Sequence, residues 1–293
     1  MSMEYCQGLS INNQMKVING KQLSSELRTR LKEKISQIEL SIGLAVVIVG
    51  DDPASQIYVR NKIKACEEVG IRSLVFELPS SVSQAELEEL LVKLGKEQNV
   101  HGILLQLPLP KGFDAESAMA KIPTNKDVDG FTAENLGKLA LHKEEFVACT
   151  PLGIMTMLKE EGISLAGKHA VVLGRSDTVG KPMAMLLLNA DATVTVCHSK
   201  TDNLKEICRQ ADVLISAIGK PKFVTADMVK EGVVVIDVGM NRDENGRLCG
   251  DVDYENVALK SSYITPVPGG VGPMTITTLL YNTYYAALRA LKE

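Results

Sequence analysis

Tyr58 and Lys62 stand four residues apart, a spacing that places both side chains on one face of a helix. A lysine beside an aromatic ring at the start of a helix that follows a strand suits a cleft, where such an amine can move a proton. The same spacing also fits an ordinary solvated face, and Lys64 is rotated onto one. Gln106 ends an apolar run and precedes Leu107-Pro108-Leu109-Pro110. At the carboxyl end of a strand in an open sheet, a glutamine faces the ligand crevice or caps a turn. Asp127-Val128-Asp129-Gly130-Phe131 offers two carboxylates but too few further oxygens for a calcium loop. A carboxylate here can accept a bidentate pair of N–H groups from a heterocycle, or form an Asx turn.

A second cluster begins at Val171-Val172-Leu173-Gly174-Arg175-Ser176, which leads through Val179-Gly180 into an apolar segment, Met183 to Asn189. A β-branched run stopped by a glycine turn and followed by a helix is the opening of a nucleotide-binding βαβ unit. Backbone amides of such a turn and of the helix N-terminus can face a pyrophosphate. Ser176 stands where the usual fingerprint has its second glycine, and strand-to-helix turns without a ligand are common. The next strand ends in Cys197-His198-Ser199-Lys200-Thr201, with no acid before Asp202. An Asp or Glu there would accept from a ribose 2′-hydroxyl, whereas donors and positive charge suit the 2′-phosphate of NADP. Arg175 can add a bidentate phosphate contact. The alternative is a solvated polar turn, and His198 is assigned no catalytic role.

The elements that must position these residues alternate along the chain. Helical spacing runs over 23–38, 55–69, 83–97 and 115–121, with Gly70 as a C-cap and Ser83 and Glu86 as a capping box. Strand patterns fall at 43–49, 73–78 and 101–106. After Thr150, a candidate cap, and Pro151 the pattern restarts with a helix to Glu161. Strands at 170–173, 193–197, 213–217 and 233–238 then imply a doubly wound parallel sheet. Pro266-Val267-Pro268-Gly269-Gly270-Val271-Gly272-Pro273 is too stiff and too apolar for a plain linker and reads as a loop shaped around a ligand. The last helix pattern spans 275–292.

The chain has 293 residues, room for two α/β lobes, and a formal net charge of −4. That balance argues against nucleic acid as the main partner. No apolar run reaches the roughly 18–20 residues that span a bilayer. Met1 to Gln14 is polar and lacks the apolar core of a signal peptide, with Met15 a second plausible start. The six cysteines, Cys6, Cys66, Cys149, Cys197, Cys208 and Cys249, form no C-x-x-C pair. Reduced thiols in a cytoplasmic protein are the simpler expectation, with no metal site.

Taken in order, Tyr58-x-x-x-Lys62, Leu105 to Pro110, Lys126 to Gly130, Cys149-Thr150-Pro151-x-Gly153, Gly174-Arg175-Ser176-x-x-Val179-Gly180-x-Pro182 and Pro266 to Thr275 resemble the bifunctional methylenetetrahydrofolate dehydrogenase/methenyltetrahydrofolate cyclohydrolase family. The resemblance covers nearly everything from Met15 onward. It implies oxidation of 5,10-methylenetetrahydrofolate with NADP⁺ and hydrolysis of the methenyl product to 10-formyltetrahydrofolate. It also implies a catalytic Lys62, Gln106 bonded near it, Tyr58 against the folate rings and Asp129 on the pterin. Gly174, Arg175, Ser176 and Ser199 would hold NADP, Met240 would line the cofactor, and Pro268 and Gly269 would border the folate. A homodimer is a further implication.

The expected architecture is α/β, with two lobes flanking a cleft. Residues 1–148 form a folate-binding catalytic domain onto which 275–293 packs back, and 149–274 form a Rossmann-like NADP-binding domain. A dehydrogenase for another small substrate is disfavoured because no His or Asp pair is offered as a proton relay. A non-catalytic NADP-binding regulator would not need Lys62 and Gln106 in one cleft.

Overall fold

The computed structural model describes residues 15–292, so the polar stretch Met1 to Gln14 and Cys6 lie outside the described residues. The first half builds a three-stranded parallel sheet. After β1 (Lys16–Val17) and α1 (Gly20–Ser36) come β2 (Gly43–Val49), α2 (Pro53–Val69), β3 (Arg72–Leu78), α3 (Gln84–Lys96) and β4 (Gly102–Leu105), in spatial order β3-β2-β4. All seven residues of β2 are buried, as a central parallel strand with covered faces requires. Its pleat divides them: Leu44, Val46 and Ile48 join one cluster with Val59 and Val69 of α2, while Ala45, Val47 and Val49 join another with Leu87, Leu91 and Leu94 of α3. Each of the Val, Leu and Ile side chains contributes about 1.5–3 kcal/mol on burial.

Caps fix where these helices begin. The Asp52 carboxylate accepts from Ser55 N at 2.8 Å to start α2, with Pro53 in its first turn. Ser83 and Glu86 form the expected capping box of α3, and Gly70 closes α2 at a φ of +88°.

A linking region follows, with α4 (Ala115–Met119) and α5 (Ala133–Ala140) leading to α6 (Cys149–Glu160). Thr150 is not the cap of α6. It lies inside the first turn, where its hydroxyl meets Thr275 Oγ1 at 2.9 Å.

The second sheet has six parallel strands, in the order β1-β11-β8-β7-β5-β6. They are β5 (His169–Leu173), β6 (Thr193–Cys197), β7 (Val213–Ser216), β8 (Val233–Asp237) and β11 (Ser261–Ile264), with β1 at the far edge. Connecting them are α7 (Gly180–Asn189), α8 (Leu204–Arg209), a short antiparallel hairpin of β9 (Asn241–Arg242) and β10 (Leu248–Cys249), and α9 (Tyr254–Ala258). The winding reverses between β5 and β7, the place where an open α/β sheet opens a ligand crevice at its carboxyl edge.

The last helix, α10 (Val271–Ala290), packs on α6, α1 and α2 and against β2 and β4. Ser24 and Thr277 share a buried 2.7 Å hydrogen bond, and the Tyr281 hydroxyl donates to Leu27 O at 3.0 Å.

Candidate functional site

A cleft of about 770 Å³ lies between the two sheets, lined from the first half by Tyr58, Lys62 and Gln106 and from the second by Met240, Pro268 and Gly270 among others. Tyr58 and Lys62 share one face of α2, as their spacing predicts. Gln106 follows β4 directly and is nearly buried. Its Nε2 donates to Leu107 O at 2.6 Å, which leaves Oε1 to accept from Lys62 Nζ at 3.1 Å. The amine therefore meets a neutral acceptor and is not locked in a carboxylate ion pair.

The two aspartates of the 127–131 loop divide their labour. Asp127 is buried and accepts from Gly130 N, Phe131 N, Thr132 N and Asn135 Nδ2 at 2.8–3.2 Å. It is the Asx residue that shapes the loop. Asp129 is half-buried. Burial pushes its carboxyl above the usual range, the Lys62 cation pulls it back, and the Asp127 charge raises it again. The loop is held from outside by Asn282 of α10, whose Nδ2 donates to Val128 O at 2.9 Å, and by the Cys149 thiol on the same carbonyl at 3.3 Å. Burial, then the Asp129 charge, pushes that thiol far up. Gly130 has a φ of +73°, and a Cβ there would sit 2.4 Å from the Val147 carbonyl carbon.

Met240 is 48% exposed, and the Tyr58 hydroxyl donates to its sulfur across the cleft. Pro268 lines the cleft, but Gly269 does not. Gly269 turns the loop at a φ of +101° and gives its carbonyl to Lys21 N at 2.8 Å.

A second cavity of about 290 Å³ opens at the switch point, between Gly174 and Arg175 after β5, His198 and Ser199 after β6, and Ala217, Ile218 and Lys220 after β7. Gly174 has a φ of +115°, and a Cβ would stand 2.3 Å from Ala217 O, so only glycine lets the turn lie against the end of β7. Ser176 does not line this cavity. Its Oγ accepts from Val179 N and Gly180 N at 3.2 and 3.3 Å, so the serine satisfies the start of α7 itself. Those two amides are therefore not available to a phosphate. Arg175 and Ser199 are exposed, and among the described residues Arg175 has no carboxylate partner. This donor-rich, acid-free rim fits a dinucleotide carrying a 2′-phosphate.

Two residues escaped the sequence reading. Asp237, the last residue of β8, lines the main cleft, and burial pushes its carboxyl up to about 6 against the pull of three backbone N–H groups. Asp251 is completely buried beside it. An aspartate ending an apolar β-branched strand was the available signal for the first; nothing local marks the second.

Among the described residues no cluster of three or more His, Cys, Asp or Glu side chains could hold a metal ion, and no helix is long and apolar enough to cross a membrane.

Two domain models match this chain: "Tetrahydrofolate dehydrogenase/cyclohydrolase, catalytic domain" over residues 18–129 and its "NAD(P)-binding domain" over 148–291. The bifunctional protein FolD of Campylobacter curvus is 57% identical over 282 residues, spanning 95% of this chain and 98% of its own. The crystal structure of the bifunctional enzyme FolD from Campylobacter jejuni superposes with a TM-score of 0.92 at 52% identity, covering 94% of this chain and 99% of that one. The Trypanosoma brucei enzyme, solved with NADP cofactor and an inhibitor, gives 0.91 at 39% identity, covering 95% and 99%. The chain belongs to the tetrahydrofolate dehydrogenase/cyclohydrolase family.

Proposed function

We propose that this protein oxidises 5,10-methylenetetrahydrofolate to 5,10-methenyltetrahydrofolate with NADP⁺ and hydrolyses that product to 10-formyltetrahydrofolate in the same cleft. The observation that carries the reading is the Lys62–Gln106 pair, 3.1 Å apart, facing a cleft on the same side of the second sheet as the glycine-turn cavity.

Bound at that cavity, NADP⁺ supplies the hydride acceptor. Gly174 gives the close backbone approach, while Arg175 and Ser199 supply charge and donor for the 2′-phosphate. Ser176 acts one step back, by ordering the turn. The segment around Met240 lines the cofactor side of the cleft. On the folate side, the Asp129 carboxylate accepts the N–H pair of the pterin, Tyr58 packs against the rings, and Pro268 borders them, with Gly269 shaping that border. Oxidation yields a resonance-stabilised cation, so these groups contribute mainly orientation.

Hydrolysis asks for more. Water adds to the methenyl carbon and loses one proton. As the bond from that carbon to one ring nitrogen breaks, the hydroxyl loses its second proton and becomes the formyl carbonyl while that nitrogen gains one, so one proton is released overall. Lys62 moves these protons. Gln106, which carries no charge, aims the amine through its Oε1.

The division into a folate-binding domain (1–148, with 275–293 against it) and an NADP-binding domain (149–274) belongs to this reading, as do a homodimer and a cytoplasmic location; family membership supports them. Light scattering at twice the mass of one chain tests the dimer. The function is tested by following NADP⁺ reduction with methylenetetrahydrofolate at the wavelengths of NADPH and of the methenyl product. Rise of both signals, then decay of the methenyl signal, is expected; no NADPH with this substrate overturns the reading.

A further inference from the structure

Asp251 is buried with no exposed surface, yet no cation pairs with it among the described residues. It is held instead by five donors. Lys220 N and Asn241 Nδ2 reach Oδ1, both at 2.9 Å. Ile218 N at 2.8 Å, Gly219 N at 3.2 Å and Ser216 Oγ at 3.2 Å reach Oδ2. Three consecutive backbone amides thus wrap one carboxylate, forming an anion-binding concavity whose anion belongs to the protein. A buried charge is tolerated only when its hydrogen bonds are complete, so the 218–220 loop takes its shape from this side chain.

The same residue is tied to the main cleft. Asp251 N and Gly239 N both donate to Asp237 Oδ1 at 2.9 Å, and Val252 N donates to Oδ2 at 2.9 Å. Glycines make the approach possible. A Cβ on Gly239 would stand 2.3 Å from Asp251 Oδ1, and one on Gly250 would stand 1.8 Å from Asp237 Oδ2. The loop after β7, with Ile218 and Lys220, walls the nucleotide cavity. The segment after β8, with Gly239 and Met240, walls the main cleft.

We propose that Asp251 is a positioning residue for the dehydrogenase reaction: it sets the wall of the nucleotide cavity and registers it against the cleft, so that it governs cofactor affinity and not hydrolysis. The proposal rests on the functional reading above.

The discriminating variant is Asp251→Asn. Its amide brings two donors into a pocket built of donors, and leaving buried donors opposed costs enough to weaken cofactor binding by about tenfold or more. Binding is measured by calorimetry with NADP⁺ alone, next to KM for NADP⁺ and the rate of methenyltetrahydrofolate hydrolysis without cofactor. The expected result is a tenfold rise in Kd and KM for NADP⁺ with hydrolysis within about twofold of the parent. A general packing defect lowers both activities together, and that outcome overturns the proposal, as does an unchanged Kd. Where Asp251→Asn does not fold, Ser216→Ala removes one donor and leaves the other four. It is expected to raise Kd by about threefold with hydrolysis unaffected, and an unchanged Kd then overturns the proposal. Absence of NADP⁺ turnover by the parent protein refutes the functional reading alone, because the calorimetric comparison stands without it.

Discussion

Replacing Lys62 by methionine separates proton transfer from orientation. The amine's hydrogen-bond partner, Gln106 Oε1 at 3.1 Å, is neutral, so the substitution strands no buried countercharge there. Methionine is unbranched and of similar length, and Lys62 is only half-buried, so stability should change by less than about 1 kcal/mol. Hydrolysis loses its general acid–base group, a loss of about 10²–10⁴-fold, or roughly 3–5 kcal/mol of barrier. Oxidation, for which the proposed mechanism asks only alignment of Lys62, should fall by about tenfold or less. Asp129 adds a second consequence: without the Lys62 cation that pulls its carboxyl down, it titrates higher still, and folate binding weakens as the pH falls. Lys62→Arg completes the set, since it keeps the cation beside Asp129 but cannot surrender a proton. The assay follows decay of methenyltetrahydrofolate without cofactor, with NADP⁺ affinity as the control. Hydrolysis within threefold of the parent in the methionine variant would refute the reasoning. Full activity in the arginine variant would assign Lys62 an electrostatic role instead.

Gly174→Ala should cost about 3 kcal/mol, from the +115° φ and the 2.3 Å approach to Ala217 O, and weaken NADP⁺ binding at least tenfold; thermal unfolding and calorimetry read both. Asp237 gives a pH signature: burial raises its carboxyl from 3.8 to about 6 in the folded protein, so the stability it contributes is complete below pH 4 and lost as the pH climbs through 6. Asp237→Asn removes that dependence, so its stability relative to the parent should improve by roughly 3 kcal/mol between pH 4 and pH 7.5, measured by denaturant unfolding at both pH values; a constant difference contradicts the assignment. Native thiol labelling at pH 8, mapped by mass spectrometry, should reach half-buried Cys249 before buried Cys66, Cys149, Cys197 and Cys208, since burial pushes Cys66 up to about 11 and Cys208 up to about 12; early modification of Cys149 would contradict the burial that shapes the Asp129 loop.

What could be read from the chain follows the range of the forces involved. β2 and β6 match their sequence ranges residue for residue, because an unbroken apolar run is written locally. The capping box at Ser83 is equally local. α5 was not anticipated, and neither were β1 and β11. β1 has two residues, and β11 reads Ser-Ser-Tyr-Ile, so neither carries an apolar pattern of its own. They are strands because neighbouring strands supply their hydrogen bonds. The same limit applied at the site. Gln106 directly follows β4 and Asp129 lies in a loop, both marked by residue type and position, whereas Lys62 sits in the middle of α2 and is marked by its spacing from Tyr58. Asp251 carries no local mark, since four of its five donors come from residues 216–220, more than thirty residues earlier, and the fifth from Asn241.

The Tyr58–Met240 contact bridges the two sides of the cleft. A thioether is a weak acceptor, so the Tyr58 hydroxyl gives up little when it leaves Met240 for water or for a ligand. The ring is half out of contact with protein, at 40% exposed, and rides on the same face of α2 as Lys62. On the proposed reading, a heterocycle that enters between Tyr58 and Pro268 displaces one weak bond and gains an aromatic face, without having to break the Lys62–Gln106 hydrogen bond. Asp127 holds the Asp129 loop through four donors, and Asn282 holds the preceding carbonyl from α10. On the proposed reading, binding cost thus falls on the exposed rim, and Lys62 is already held by Gln106 before substrate arrives. This is the arrangement that hydrolysis, the more demanding of the two steps, requires.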